Sequence, residues 1–568
     1  MIISYHDLTM SKSIGPVDVC IIGSGAGGGT MAYYLARAGY SVVVLEKGGY
    51  YPKEELGRKE VWMLTRIEAP TIFTPAGGKH TRVALIAGQC VGGGTVASES
   101  VTWDFPKPVM KDWARLGLNS YDYEKNPRLL AWQDELNQRL FVKPVAWHHH
   151  NPCNQILAIG AEREGVHWKS SDRPVDFCFR CGNCTQGCHY GVKMDAVNAF
   201  LYPAHEQFNT TIVAGAEVQT IKINYSEPGD YPYCEKLKTA SGQARDDLMR
   251  ELASRRKSAP AKFLVSARVI DAKAPALRNK APDYKHLTVH ARNLVMAAGP
   301  VGNTRILLKS RINPNSVVGR QFMTQPGASN QGYFPQVEIR GWDGINDSTE
   351  VDQFCYVNRD QPGYDPERHG FLLEAASSLP WGMANILNGV GRELVDKMNQ
   401  MNHWSGIESI IKSDGVGRIT EDEIIFDITE RDNESLLFAT WLTARIFFRA
   451  GAKMVQTSLP GLVLKSPSQL DEIWQYRYQG GKAKGFMIKQ ANLYSGHHFG
   501  GAIMGADRKS SFADETGECH DIKGLWVCDG SAFPTNCGVN CAMSIMLVAR
   551  KNAEHFIEKV KRGESRGA

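Results

Sequence analysis

Val17-Asp18-Val19-Cys20-Ile21-Ile22-Gly23-Ser24-Gly25-Ala26-Gly27-Gly28 decides the fold. Residues 17–22 form a short, mostly apolar run of strand character that leads directly into Gly-x-Gly-x-x-Gly at Gly23, Gly25 and Gly28. Residues 30–38 supply helix formers, with Leu35 and Ala36 facing inward, and residues 41–45 read as a second parallel strand that Glu46 ends. Strand, glycine turn, helix and second strand are the parts of a Rossmann-type dinucleotide fold of the α/β class. The glycines make the tight turn, let the backbone approach a pyrophosphate and let the helix pack closely, while the helix N-terminus faces the phosphates. Glu46 stands where a carboxylate accepts from an adenosine ribose hydroxyl, which favours an unphosphorylated ribose. This segment by itself does not distinguish FAD from NAD.

A chain of 568 residues is too long for one core and predicts two or three domains. Its 65 basic and 60 acidic side chains leave a formal charge of +5, too small an excess to mark a nucleic-acid surface. The one locally basic stretch, 245–262, also carries Asp246, Asp247 and Glu251 and reads as a solvated insertion. No run approaches the ~18 apolar residues needed to span a bilayer. The longest, 436–448, is interrupted by Arg445 and reads as a buried helix. Residues 1–13 contain Asp7 and lack both an apolar core and a twin-arginine pair. Together with thirteen cysteines, this predicts a reducing, cytoplasmic setting, with export beside a signal-bearing partner left open.

Four further blocks follow in order. They are Gly88-Gln89-Cys90-Val91-Gly92-Gly93-Gly94-Thr95, then Ala297-Ala298-Gly299-Pro300-Val301-Gly302 after a strand-like lead at 293–296, then Ser495-Gly496-His497-His498-Phe499-Gly500-Gly501, and last Asp529-Gly530-Ser531-Ala532 closing on Gly538-Val539-Asn540. With the N-terminal turn they span residues 17–549 and resemble the signatures of the glucose-methanol-choline (GMC) oxidoreductases, nearest the long-chain alcohol oxidase and bacterial alcohol dehydrogenase branch. The resemblance implies a Rossmann-type FAD-binding domain and a second, substrate domain built on an antiparallel sheet. On that plan residues 13–323 are the main part of the FAD domain, 324–492 the cap, and 493–568 the return to the FAD domain with the catalytic residues. The cysteine-rich segment 176–192 lies in the first part. So does an insertion at about 224–290, read from its low apolar content and from Pro260, Pro275 and Pro282. Gly92, Gly93, Gly94 and Thr95 would wrap the flavin, with Ala298, Gly299, Asp529 and Gly530 as further cofactor contacts. One departure is Asn303-Thr304-Arg305, where the family usually has a Thr-Pro pair. Some members bond FAD through a histidine just after the glycine loop. Here Val96-Ala97-Ser98 follows, so FAD is expected to be noncovalent, with Cys90 a small buried residue beside it.

Oxidising an alcohol removes a hydride and a hydroxyl proton, and the proton needs a base. By its place in the family pattern His497, rather than His498, takes that role, and Asn540 supports the developing alkoxide without carrying charge. The family motif continues Asn-Pro-Thr, whereas this chain has Asn540-Cys541-Ala542. The long-chain branch implies an apolar alcohol.

Cys178, Cys181, Cys184 and Cys188 have the Cys-x2-Cys-x2-Cys-x3-Cys spacing of ferredoxin-type ligands, with His189 where a proline is usual. A [4Fe–4S] cluster is the leading expectation, with structural zinc and buried or redox-active thiols as alternatives. A cluster would pass flavin electrons singly to a protein or quinone acceptor and so favour a dehydrogenase. The competing functions are an oxygen-using oxidase, a lyase that keeps flavin only as structure, and an electron-carrier subunit, which would need neither His497 nor Asn540. His148-His149-His150 reads as a solvated loop, and the scattered tryptophans as core.

Overall fold

The computed structural model describes residues 2–57, 60–68, 74–224, 243, 261–273, 283–359, 370–376 and 378–562. Most of the basic stretch, 245–260, lies outside the described residues, as do Pro260, Pro275 and Pro282.

The N-terminal motif folds as its pattern requires. The strand Ser11–Ile22 runs into the glycine turn, the helix Ala26–Arg37 follows, and Val42–Glu46 pairs with the first strand in parallel, Val19 opposite Val42. Val19, Cys20, Ile21 and Ile22 are all buried, the continuous pattern of a parallel strand covered on both faces. Around this pair the main sheet runs Ile2–Ile3, Thr211–Ala214, Val42–Glu46, Ser11–Ile22, Tyr284–Met296, Phe263–Ile270, Ala216–Ile223. Tyr284–Met296 serves two neighbours on one side. Its first part pairs antiparallel with Phe263–Ile270, and Leu294 to Met296 pair in parallel with Leu525–Val527. The helix Ala542–Arg562 packs on Ala26–Arg37.

Phe263–Ile270 falls inside the stretch read as an insertion, and Tyr284–Met296 begins in it. Phe263, Val265, Ala267 and Val269 are buried in strict alternation, which is the period of a strand with one face inward. In sequence the three prolines fall before or between these strands and not within them.

The second sheet is largely antiparallel and runs Thr74–Gly77, Arg82–Leu85, Leu493–Ser495, Gly327–Tyr333, Trp404–Ile411, Phe371–Ala376, Thr349–Val351, Lys169–Ser170, with Met454–Gln456 and Val463–Leu464 attached. Four of its strands thus come from outside 324–492. The helix Glu430–Ala450 packs against this sheet and against Pro152–Glu164. It contains the apolar run 436–448, starts with a Thr429–Asp432 capping box and stops at Gly451, φ +105°. Arg445 turns to Glu164, whose other oxygen accepts from Arg449 at 3.1 Å. Among the described residues no helix is long and apolar enough to cross a membrane.

A small sheet joins Ile424–Ile425, Gly417–Ile419, Arg320–Thr324 and His498–Phe499. It fixes the histidine pair, because the His497 carbonyl accepts from the Thr324 hydroxyl at 2.9 Å and from the Gln325 amide at 3.3 Å.

Candidate active site

The glycine turn is shaped by contacts that no side chain could share. Gly23 has φ +98°, and a Cβ there would lie 2.2 Å from the Ala297 carbonyl oxygen. Gly28 is just as constrained, with a Cβ position 2.0 Å from the Gly23 carbonyl oxygen. The second glycine turn lies against the first, so that a Cβ on Gly93 would fall 2.9 Å from the Gly25 Cα. Thr95 locks this second turn: its hydroxyl donates to Gly92 at 2.7 Å and accepts from the Ala196 amide at 2.9 Å. Glu46 is buried at the end of its strand. It accepts from the Ser24 amide (3.0 Å), the Ser24 hydroxyl (2.7 Å) and the Gly48 amide (2.8 Å), and burial nonetheless pushes its carboxyl up.

Asp529 closes the opposite side. It accepts from the Gly299 amide at 2.6 Å, from Asn303 Nδ2 at 3.0 Å and from the Ser531 amide at 2.9 Å. Asn303 also accepts from the Ala298 amide at 2.9 Å. The departure from the usual Thr-Pro pair is therefore the hub that ties the second signature to the Asp529 loop.

These segments enclose a cavity of about 1250 Å³. Its wall includes Gly23, Gly25, Glu46, Gly93, Gly94, Thr95, Ala298, Gly299, Asp529 and Gly530, and also His497 and Asn540. Gly28 and Gly92 stand behind the wall and shape it. Ala97 and Ser98, where a linking histidine would stand, are also on the wall. A Cβ added at Gly94 would meet nothing within 4 Å, so bare backbone borders open space. The glycine cradle, the acid at the strand end and the helix N-terminus fit a flavin dinucleotide. Cys90 is buried with its thiol toward the Gly93 carbonyl at 3.7 Å, and burial pushes it well up.

The two histidines differ in their partners. The His498 ring donates from Nε2 to the Ser495 carbonyl at 3.0 Å. The His497 ring has no hydrogen-bond partner among the described residues and borders the cavity. Burial, with His498 adding to it, pushes His497 down to about 4. The Asn540 amide faces Glu374, and its Oδ1 is buried without a partner.

The four clustered cysteines are half-buried and unpaired. Cys178 lies near Cys181 and Cys184, and Cys188 near Cys181. Among the described residues no three His, Cys, Asp or Glu side chains converge as ligands of a single metal ion. Two buried cations hold the loop. Arg173 donates to Cys184 Sγ at 3.3 Å and to the Glu99 and Asn346 carbonyls. Lys193 donates to the carbonyls of Val96 (2.7 Å), Ser98 (3.0 Å) and Cys184 (3.0 Å). The histidine triplet is not wholly solvated: His150 is buried, its ring bonded to the Thr349 hydroxyl at 2.8 Å because the chain there docks beside Lys169–Ser170 and Thr349–Val351.

Sequence reasoning missed a group of carboxyls on the same wall, Glu99, Asp347, Glu374 and Glu408. The available signal was a lone acid inside an otherwise apolar strand, as in Phe371-Leu372-Leu373-Glu374-Ala375-Ala376.

The family model described as GMC oxidoreductase matches residues 19–327 with its N-terminal part and 421–549 with its C-terminal part. A long-chain-alcohol oxidase of Arabidopsis thaliana is 26% identical over 549 residues, covering 94% of this chain and 66% of that protein. The chain thus spans just under two thirds of that relative's length. An uncharacterized GMC-type oxidoreductase of Mycobacterium tuberculosis is 26% identical over 568 residues, covering 97% of this chain and 77% of its own. Among solved structures, a pyridoxine 4-oxidase superposes with a TM-score of 0.61 at 14% identity, covering 95% of this chain and 99% of the other. A formate oxidase gives 0.62 at 14% identity, covering 97% and 99%. These structures share the fold. With both parts of the family model matched in order over a cavity built from the same segments, the chain belongs to the GMC oxidoreductases.

Proposed function

We propose that this chain uses noncovalent FAD to oxidise the carbinol carbon of an alcohol to a carbonyl, with His497 as the base. The observation that carries the reading is the His497 ring, without a hydrogen-bond partner among the described residues on the wall that also holds the glycine turns, while His498 is tied to backbone. Bound FAD supplies the hydride acceptor. His497, neutral above about pH 4, takes the hydroxyl proton on a ring nitrogen. Asn540, facing Glu374, supports the alkoxide by hydrogen bonding.

The pH profile tests the base. Flavin reduction is expected to rise with pH through about 4 and stay level to neutrality. An ascending limb near ~6.5, the ordinary histidine value, would count against this environment for His497. The sign for stability agrees. An unfolded chain protonates this histidine below ~6.5 while the folded one resists until about 4, so stability falls as pH drops through that window.

For the acceptor we take the reading drawn from the cysteine run, an acceptor other than oxygen. What supports it is that the run lies beside the cavity, where Thr185 and Gln186, next to Cys184, line the wall. The relatives named oxidases favour oxygen instead. Protein reduced by alcohol under argon is expected to pass electrons to an artificial dye faster than to oxygen, and to release FAD on acid or heat. Peroxide formation at an equal or greater rate would make it an oxidase. Flavin retained on the denatured chain would overturn noncovalent binding. Iron and acid-labile sulfide in the anaerobic protein would establish a cluster independently.

A further inference from the structure

The carboxyls on the cavity wall are arranged by the second sheet. Lys169, Glu350, Glu374, Glu408 and Ser329 stand opposite one another in register across five strands. Like charges directly opposite in a sheet destabilise it, and a buried carboxyl without a partner is worse. At Glu350 the fold answers the problem, because Lys169 lies at 3.2 Å and Trp103 Nε1 donates at 3.0 Å. Among the described residues, Glu374 and Glu408 receive no cation. Glu408 accepts from the Tyr494 hydroxyl and is hydrogen-bonded to Glu374, which is 1% exposed, also meets Asn540 and keeps only Oε1 unpartnered. Asp347 Oδ1, Asn346 Oδ1, Glu99 Oε2 and Asn540 Oδ1 are buried and unpartnered as well. All five residues border the cavity with these particular atoms covered, and the carboxyl that is partly exposed on the wall is that of Glu408.

A partly exposed carboxyl without a cation, beside a second carboxyl that meets Asn540, calls for a hydrogen-bonding group on the bound molecule. A simple alkanol brings one hydroxyl, whose proton His497 takes, and its chain would cover the Glu408 carboxyl without bonding it. We infer that the substrate carries at least one further hydrogen-bond donor, a hydroxyl or a protonated amine, adjacent to its carbinol, and that Glu374 and Glu408 select for it. This inference rests on the alcohol-oxidation reading. It replaces the apolar substrate implied by the long-chain branch. Burial raises the proton affinity of Glu374, Glu408 and Asp347, the neighbouring carboxyls add to it at Glu374 and Asp347, and the hydrogen bonds with Tyr494 and Glu374 oppose it at Glu408, so the wall can meet a neutral hydroxyl as donor or acceptor, and an ammonium as an ionised acceptor.

The test compares three six-carbon probes on the FAD-loaded full chain under argon: 1-hexanol, 1,2-hexanediol and 2-amino-1-hexanol. Reduction of the flavin per unit concentration of diol, amino alcohol or both is expected to exceed that of hexanol by about 10- to 100-fold, the range for stranding buried hydrogen-bonding groups. The faster of the two identifies the donor as hydroxyl or ammonium. Glu374→Gln and Glu408→Gln should shrink that ratio, whereas a merely structural role would slow all three probes alike. Hexanol matching or beating both probes overturns the inference and leaves alcohol oxidation standing. Bleaching by none of the three overturns both.

Discussion

His497→Ala is expected to slow flavin reduction by about two to four orders of magnitude, the range for losing a positioned base, while FAD stays bound. The ring borders the cavity without protein bonds, so its removal breaks no hydrogen bond that holds the fold. Its carbonyl, which does accept from Thr324 and Gln325, belongs to the backbone and survives the substitution. His498→Ala should do much less to the chemistry, because that ring is spent on the Ser495 carbonyl. Stopped-flow bleaching under argon, normalised to FAD content, separates the two. If His498→Ala proved the slower variant, the base would have to be moved by one residue.

Gly27→Ala is expected to empty the flavin site. A Cβ there would sit 2.0 Å from the Cys528 carbonyl oxygen, which is backbone and cannot swing away. The helix Ala26–Arg37 would have to back off from the segment that follows Leu525–Val527, carrying its N-terminal amides away from the phosphates. Overpacking of this kind costs about 1–3 kcal/mol or more. We expect at least about a tenfold loss of FAD content together with a lower Tm, since ~1.4 kcal/mol corresponds to a factor of ten. Gly94→Ala is the contrast, because its Cβ meets no protein atom within 4 Å. It should keep the Tm of the apoprotein and weaken only FAD binding. Equal Tm losses in both variants would contradict this division.

The parts of this molecule that were legible in the sequence are those coded locally. The turn at Gly23 and Gly25, the strand ending in Glu46 and the buried helix over 436–448 each depend on neighbours within a few residues, and all three stand where the pattern put them. The strand Phe263–Ile270 and the first part of Tyr284–Met296, whose end at 293–296 was read as a strand, were hidden by the prolines around them, because alternation inside a short run is a weaker signal than three breakers. Asn303 looked like a flaw in a signature, and only the approach of Asp529 from more than two hundred residues away gives it a purpose. The carboxyl row was invisible for the same reason: Glu350, Glu374 and Glu408 become neighbours through strand register. The cysteine spacing was plain, yet spacing fixes only the order of thiols. The loop's anchoring by Arg173 and Lys193, both reaching Cys184 from outside the run, cannot be read from that spacing.

The threading of the main sheet also governs when the molecule can come into being. The strand Leu525–Val527 lies beside Leu294 to Met296, and the helix Ala542–Arg562 lies on Ala26–Arg37, so the two ends of a long chain must meet before either half is complete. During synthesis the nascent chain carries a finished phosphate turn long before Asp529 exists to brace it. Contacts of such sequence separation form late and slowly. Until then the apolar edge of Tyr284–Met296 stands open, a surface on which a chaperone, or a second nascent chain, can settle first.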